Sequence, residues 1–233
     1  MRLSKYLSKS GVASRREAEK LIQSALITIN GNVELSPHYS VKKNDIVKYD
    51  SMVVKDNQES IVIMLNKPAG YITSMKDPMN RKIVSDLINI KERVFPIGRL
   101  DKDTTGLLLL TNQGDLALKL SHPKFNIPKI YTSIIDRPFV NWEKKKIKKK
   151  VYIGQKEWGK AEVLDQKKIN GKAIVKLKLE QGKKREIRRI MYRMKRILYF
   201  LKRIEFGPCK LGKLKEGQWR FLQKDEILEL NNL

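Results

Sequence analysis

The run Leu107-Leu108-Leu109-Leu110 constrains this chain more than any other segment, because it is apolar without alternation. Such a run reads as a strand or short segment buried on both faces, with a rigid surround on either side. It follows a polar loop, Gly98-Arg99-Leu100-Asp101, which continues through Lys102-Asp103-Thr104-Thr105-Gly106. An aspartate at the mouth of a buried strand can be held in one place, with an arginine two residues before it. Taken alone, an Asp in a polar loop is a turn former.

The balance of 50 basic against 25 acidic residues gives a formal charge of +25. That excess favours polyanions, either nucleic acid or an anionic membrane surface. No apolar run approaches the length of a transmembrane helix, and no amphipathic anchor stands out, so nucleic acid is the expected partner and a membrane is not. Apolar residues make up 41% of the 233, enough for an ordinary folded domain plus a small one. Cys209 is the single cysteine, so an intrachain disulfide is ruled out. The start, Met1 to Tyr6, lacks an apolar signal core, and a cytoplasmic location is expected. Two histidines and one cysteine supply no metal-ligand cluster. Neither GxGxxG nor GxxxxGK[ST] occurs, so neither a metal nor a nucleotide cofactor is expected.

Residues 1–48 read as a compact unit, 49–60 as a polar linker and 61–233 as a larger domain. In the first unit Leu3, Tyr6, Leu7 and Val12 recur at helical spacing, and Ser10-Gly11 closes the first helix. Ser14-Arg15-Arg16-Glu17 has the form of a capping box, and Ala18, Leu21, Ile22 and Ala25 make one apolar face behind it. Leu26–Ile29 reads as a strand, Asn30-Gly31 as a hairpin turn and Val41–Tyr49 as a further strand. Arg2, Lys5, Lys9, Arg15, Arg16 and Lys20 are displayed by the two helices. Beyond residue 61, separated strand candidates at 61–65, 107–111, 130–135, 161–164, 173–179 and 197–205 predict an α+β domain around a large mixed, mainly antiparallel sheet. A helix is predicted from Arg185 to about Lys195, and Lys144–Lys150 as the exposed side of another.

Several motifs, in order along nearly the whole chain, carry a resemblance to a known family. Gly98-Arg99-Leu100-Asp101 with its leucine run, Leu65-Asn66-Lys67-Pro68-Ala69-Gly70, and Lys129-Ile130-Tyr131 after His122-Pro123 come first. Gln181 to Arg189, Phe206-Gly207-Pro208 and Glu216-Gly217-Gln218-Trp219-Arg220 complete the set. Together they resemble the ribosomal RNA pseudouridine synthases of the small-subunit-type branch. The helix-helix-hairpin order of residues 1–48 resembles the alpha-L RNA-binding domain, whose basic side chains and a helix N-terminus would contact phosphates.

The resemblance implies isomerisation of a uridine: the N-glycosidic bond breaks, the uracil turns and C5 is joined to the ribose. It assigns Asp101 as the nucleophile, at ribose C1′ or, in an older alternative, at uracil C6. Arg188 is the implied partner of that carboxylate, with Arg189 as the neighbour most easily mistaken for it. Tyr131 is implied at the uracil, and Arg99 is the side chain that fills the space left by a flipped-out nucleotide. Lys67 and Pro68 are read as turn-shaping and His122 as structural. The Arg185-Glu186-Ile187-Arg188 form leans towards large-subunit RNA. Lys195 stands where relatives carry Gly at a helix end, so a different turn is expected there. The implied partner is ribosomal RNA or a ribosomal subunit precursor, bound by a monomer. A non-catalytic RNA-binding or ribosome-assembly factor on the same scaffold is the competing reading, set apart by joint retention of Asp101, Tyr131 and Arg188.

Overall fold

The computed structural model describes residues 1–56 and 59–233, so Asn57 and Gln58 of the expected linker lie outside the described residues. The chain divides into two units. One holds Met1–Ile61 with Ile90–Val94 and Asn112–Gly114, the other Val62–Asn89, Phe95–Thr111 and Asp115–Leu233.

In the first unit, helices α1 (Leu3–Lys9) and α2 (Arg15–Gln23) precede strands β1 (Ile27–Ile29), β2 (Asn32–Val33), β3 (Val47–Tyr49) and β4 (Met52–Val53). The strands form an antiparallel sheet in the order β2-β1-β3-β4. Ser14 and Glu17 form the predicted capping box: the Glu17 amide donates to Ser14 Oγ at 3.3 Å and the Ser14 amide to Glu17 Oε2 at 3.0 Å. Leu3, Leu7, Ala18 and Ile22 bury their apolar faces against Ile27 and Val47. Asn30 and Gly31 both take positive φ, 53° and 89°, which is the turn that joins β1 to β2.

Two expectations are corrected here. The predicted strand Val41–Tyr49 is reduced to its last three residues, because Asp45 accepts from the Lys42 amide at 2.8 Å and the Tyr39 hydroxyl at 3.0 Å and folds the preceding segment into a turn. Met52 and Val53, expected in a linker, form a strand instead. Asp50 and Ser51 adopt left-handed φ of 46° and 65° and close a two-residue hairpin without glycine.

The second unit begins with β5 (Val62–Lys67), β6 (Phe95–Pro96), β7 (Thr105–Thr111), helix α3 (Gly114–Ser121) and β8 (Lys129–Ile135). Helix α4 (Asn141–Lys149), hairpin strands β9 (Val151–Gly154) and β10 (Glu157–Gly159), and the long pair β11 (Glu162–Ile169) and β12 (Lys172–Leu179) follow. Helix α5 (Glu186–Arg193), strands β13 (Leu198–Phe206), β14 (Cys209–Lys210) and β15 (Trp219–Phe221), and helix α6 (Lys224–Asn231) complete it. Its main sheet runs β11-β12-β8-β13-β7-β5-β15, with β6 beside β7 and β14 beside β13. Every junction is antiparallel except β13 with β7, which is parallel and spans only Lys202↔Thr105 and Arg203↔Gly106.

All seven residues of β7 are buried, as an unbroken leucine run requires. Leu107 and Leu109 pack with Val62, Met64, Leu116, Leu120, Phe206 and Leu230, so α3 and α6 cover one face of the sheet. In α4 only Glu143 and Ile147 are buried, and the lysines of the 144–150 run lie outward or half-covered. Helix α5 ends in a Schellman turn: the Arg196 amide donates to Met191 O and the Lys195 amide to Tyr192 O. Lys195 itself takes φ 52°, so the turn is the one a glycine makes, formed by a lysine.

Candidate active site

Asp101 sits in the loop that delivers the chain into β7, beside the parallel junction of the main sheet. Its neighbours are tied down one by one. Leu100 is clipped on both sides by Thr73, whose Oγ1 donates to Leu100 O at 2.7 Å and accepts from its amide at 3.1 Å. The Thr104 amide closes a turn onto Asp101 O at 3.0 Å. Beneath this turn lies Lys67, fully buried at the end of β5. Its ammonium donates to the carbonyls of Pro68 (2.9 Å), Lys102 (3.2 Å) and Thr104 (2.9 Å). Burial pushes the Lys67 amine down to about 8, against the pull of Asp103 and Asp101. The side chain is a staple for the loop, in line with the turn-shaping role read from the sequence.

Two guanidinium groups reach the Asp101 carboxylate. Arg188 Nε and Arg185 Nη1 each lie 3.6 Å from Asp101 Oδ2. Arg188 Nη2 also donates to Asp103 O at 3.2 Å and Thr104 Oγ1 at 3.3 Å, so it grips the same loop that Lys67 holds from below. Arg189 points elsewhere: it binds Ile153 O, Gly154 O and the Glu157 carboxylate, fastening α5 to the β9–β10 hairpin. Arg188 rather than Arg189 therefore faces the loop. Arg185 was not singled out from sequence, although its i, i+3 relation to Arg188 was a usable signal. It precedes α5 with φ 52°. The turn before it is fixed by Glu186, whose carboxylate accepts from the amides of Lys160, Gly182 and Lys183.

A cleft opens over these groups, lined among others by Arg99, Asp101, Lys129, Tyr131, Arg188 and Arg203. Tyr131 lies on β8, mostly buried, directly opposite Leu177 of β12 and Arg203 of β13. Paired residues across a sheet share a face, so Tyr131 and Arg203 stand side by side. Arg99 is exposed along the same cleft. Lys129 entered the sequence reading only as part of the Lys129-Ile130-Tyr131 motif, with no role of its own, and Arg203 did not enter it, since an isolated basic residue in a +25 chain looks like surface charge. His122 Nδ1 accepts from the Lys124 amide at 3.2 Å and caps a short turn, which is a structural task.

In the first unit Arg2, Lys9, Arg15, Arg16 and Lys20 are exposed and Lys5 is half-buried. Lys9 is held by Asp56 at 2.8 Å. The Glu17 carboxylate occupies the start of α2.

The family model described as RNA pseudouridylate synthase matches residues 61–192, and the S4 domain model matches residues 1–47. An uncharacterised RNA pseudouridine synthase of Aquifex aeolicus is 38% identical, over 99% of this chain and 93% of that protein. Ribosomal large subunit pseudouridine synthase B of Bacillus subtilis is 35% identical over 100% and 96%. Dual-specificity RNA pseudouridine synthase RluF of Escherichia coli K12 is 33% identical, over all of this chain and 79% of its own length. A crystal structure of a pseudouridylate synthase shares the fold, with TM-score 0.69 at 24% identity over 99% of both chains. With a matched model over most of its length and relatives aligned end to end, the chain belongs to the RNA pseudouridine synthase family, an S4 domain at its front.

Proposed function

We propose that this enzyme isomerises a uridine of ribosomal RNA, in the large subunit, to pseudouridine, with Asp101 as nucleophile at the ribose. The observation that carries the proposal is the Asp101 carboxylate, 3.6 Å from both Arg188 and Arg185 at the edge of a cleft that also holds Tyr131. Flanking guanidinium groups favour the ionised carboxylate even as substrate excludes water. Tyr131 contacts the uracil face, and its phenol takes part in moving the C5 proton. Arg99 enters the helix or loop from which the nucleotide is extruded, offsetting an unstacking cost of a few kcal/mol.

The large-subunit assignment is supported by the Arg185-Glu186-Ile187-Arg188 form and by the Bacillus subtilis relative, a ribosomal large subunit pseudouridine synthase. Residues 1–48 bind RNA through Arg2, Lys5, Lys9, Arg15, Arg16 and Lys20, and residues 61–233 carry the chemistry. Phosphate contacts of this kind position a substrate without reading its sequence. The enzyme acts as a cytoplasmic monomer on ribosomal RNA or a subunit precursor.

The test maps pseudouridines at single-nucleotide resolution in cells lacking the protein, rescued with wild type or with Asp101→Ala. One uridine that loses its mark and regains it only with wild type supports the proposal and names the subunit. Rescue by Asp101→Ala would remove Asp101 from the reaction, and a mark lost in small-subunit RNA would overturn the substrate assignment.

A further inference from the structure

Four cations are buried among the described residues, and two of them are answered by a carboxylate or by a full set of carbonyls, although Arg196 Nε also lacks a partner. Arg196 is buried against Glu143, with 2.5 Å between Nη2 and Oε2, and Lys67 directs its three protons to three carbonyls. Arg203 and Lys129 differ. Arg203 is 2% exposed and Lys129 9%, and among the described residues neither has a carboxylate within 4 Å. Arg203 Nε donates to Leu107 O at 2.7 Å, whereas its buried Nη2 has no hydrogen-bond partner. Lys129 Nζ donates to Ile127 O at 2.8 Å and Glu180 O at 3.2 Å, which leaves one proton of an ammonium unused.

Both side chains lie against the ring of Phe206, Lys129 Nζ at 5.4 Å and Arg203 Cζ at 5.1 Å from its centre. Both line the cleft that holds Asp101 and Tyr131, and Arg203 is the direct cross-strand neighbour of Tyr131. The charge of Arg203 adds to the burial that depresses the Lys129 amine to about 8. Glu186 and Glu180 act on Lys129 only at longer range, and the Glu186 carboxylate is already engaged by three amides. A buried, unused guanidinium N–H costs folding free energy unless something arrives to accept it. Two such donors on one wall of a cleft call for an anionic or carbonyl oxygen.

We infer that Arg203 and Lys129 form an electropositive wall that receives a carbonyl oxygen of the uracil and stabilises the charge of the detached base. The inference rests on reading the cleft as the uridine site. When the N1–C1′ bond breaks, its electron pair departs with the base, and the uracil becomes an anion with charge on N1 and its carbonyl oxygens. Asp101 bonds to C1′ as N1 leaves; when C5 joins C1′ with an electron pair of the uracil anion, the Asp101–C1′ bond breaks and its pair returns to the carboxylate. The C5 proton is then lost and N1 gains one, so the product is neutral. Donors fixed before the bond breaks need no reorganisation as this charge develops.

The experiment is single-turnover kinetics on a ribosomal RNA fragment carrying the target uridine, with 2-thiouridine, 4-thiouridine or a phosphorothioate 5′ to it as separate substrates. Arg203→Gln and Lys129→Gln are compared with wild type, and Arg203→Lys serves where Arg203→Gln does not fold by circular dichroism. Removing one preorganised donor is expected to lower the saturating rate about 10²–10³-fold while the RNA Kd stays within about twofold. One of the two thio substitutions should slow wild type and add nothing further in the variants, because both changes break the same contact. A role in packing alone gives additive losses on every substrate and overturns the inference. Non-additivity with the phosphorothioate alone would show that the wall holds a phosphate, which also overturns it. Wild type turning over while the variants match its rate refutes this inference only. Turnover by Asp101→Ala on the same fragment would instead refute the catalytic reading on which it rests.

Discussion

Gly106 is the position at which a single methyl group would do most damage. It has φ 102°, and a Cβ built there would lie 2.1 Å from Arg203 O and 2.8 Å from Arg203 N. Both obstacles are backbone, so no rotamer change relieves them. Reaching an ordinary contact means opening the parallel junction between β7 and β13, which consists of only Lys202↔Thr105 and Arg203↔Gly106. Gly171 supplies the control: it has φ 76° and nothing within 4 Å of its built Cβ. Gly171→Ala should therefore show the backbone penalty alone, about 1–2 kcal/mol. Gly106→Ala adds overpacking of about 1–3 kcal/mol and the weakening of a short ladder, for a total of about 4 kcal/mol. Urea unfolding of both variants, read by the midpoint at constant slope, measures the difference. Because the junction lies directly after the Asp101 loop, turnover should fall in Gly106→Ala and not in Gly171→Ala. Equal midpoints for the two variants would refute the close-approach argument.

Lys67→Met leaves three carbonyls without their charged donor while relieving the burial of an ammonium. A net loss of about 3 kcal/mol is expected in urea unfolding, with kcat reduced about tenfold or more and RNA affinity unchanged in a filter-binding assay. Cys209 is 2% exposed, and burial pushes its thiol up to about 12. At about pH 8 a thiol reagent should therefore leave the native protein unlabelled and react only after denaturant is added. The Lys129 amine, ordinarily near 10.5, lies at about 8 in the fold. Between those values the unfolded chain holds a proton that the native one has released, so this residue's contribution to stability rises with pH. The stability of wild type relative to Lys129→Met should shift in favour of wild type by about 2 kcal/mol between pH ~7.5 and ~9.5, measured by urea titration at each pH. A gap that shrinks with rising pH would contradict the burial of that amine.

Features set by neighbours in sequence were legible before the structure. The four leucines of β7, the Ser14–Glu17 box and the Asn30-Gly31 turn each follow from a rule that operates within a few residues. The orientation of Arg188 towards Asp101 came from a family motif, not from periodicity. What escaped was decided by partners far along the chain. The segment after Val41 looks like a strand until the Asp45 side chain captures the Lys42 amide, and Asp50-Ser51 makes a hairpin turn with neither glycine nor asparagine to announce it. Lys129 and Arg203 belong to strands that meet only in the assembled sheet. In a chain with so many lysines and arginines, nothing local marks two of them as buried. Arg185 was missed for a related reason: three arginines crowd one turn, and only the helix phase separates those that face the cleft from the one that faces the hairpin.

The staple under the Asp101 loop separates two kinds of information that most loops carry in the same residues. Lys67 grips carbonyl oxygens of residues 68, 102 and 104, and Gly70 binds residue 102 in the same way through its amide. Every amino acid presents that oxygen, so the grip is blind to which side chain stands above it. The side chains of Lys102 and Asp103 are exposed. Neither takes part in the grip, although the charge of Asp103 favours the Lys67 ammonium, so the aspartate between the clamps keeps its place when Lys102 is exchanged. The scaffold thus lets the position of Lys102 vary without moving the Asp101 backbone.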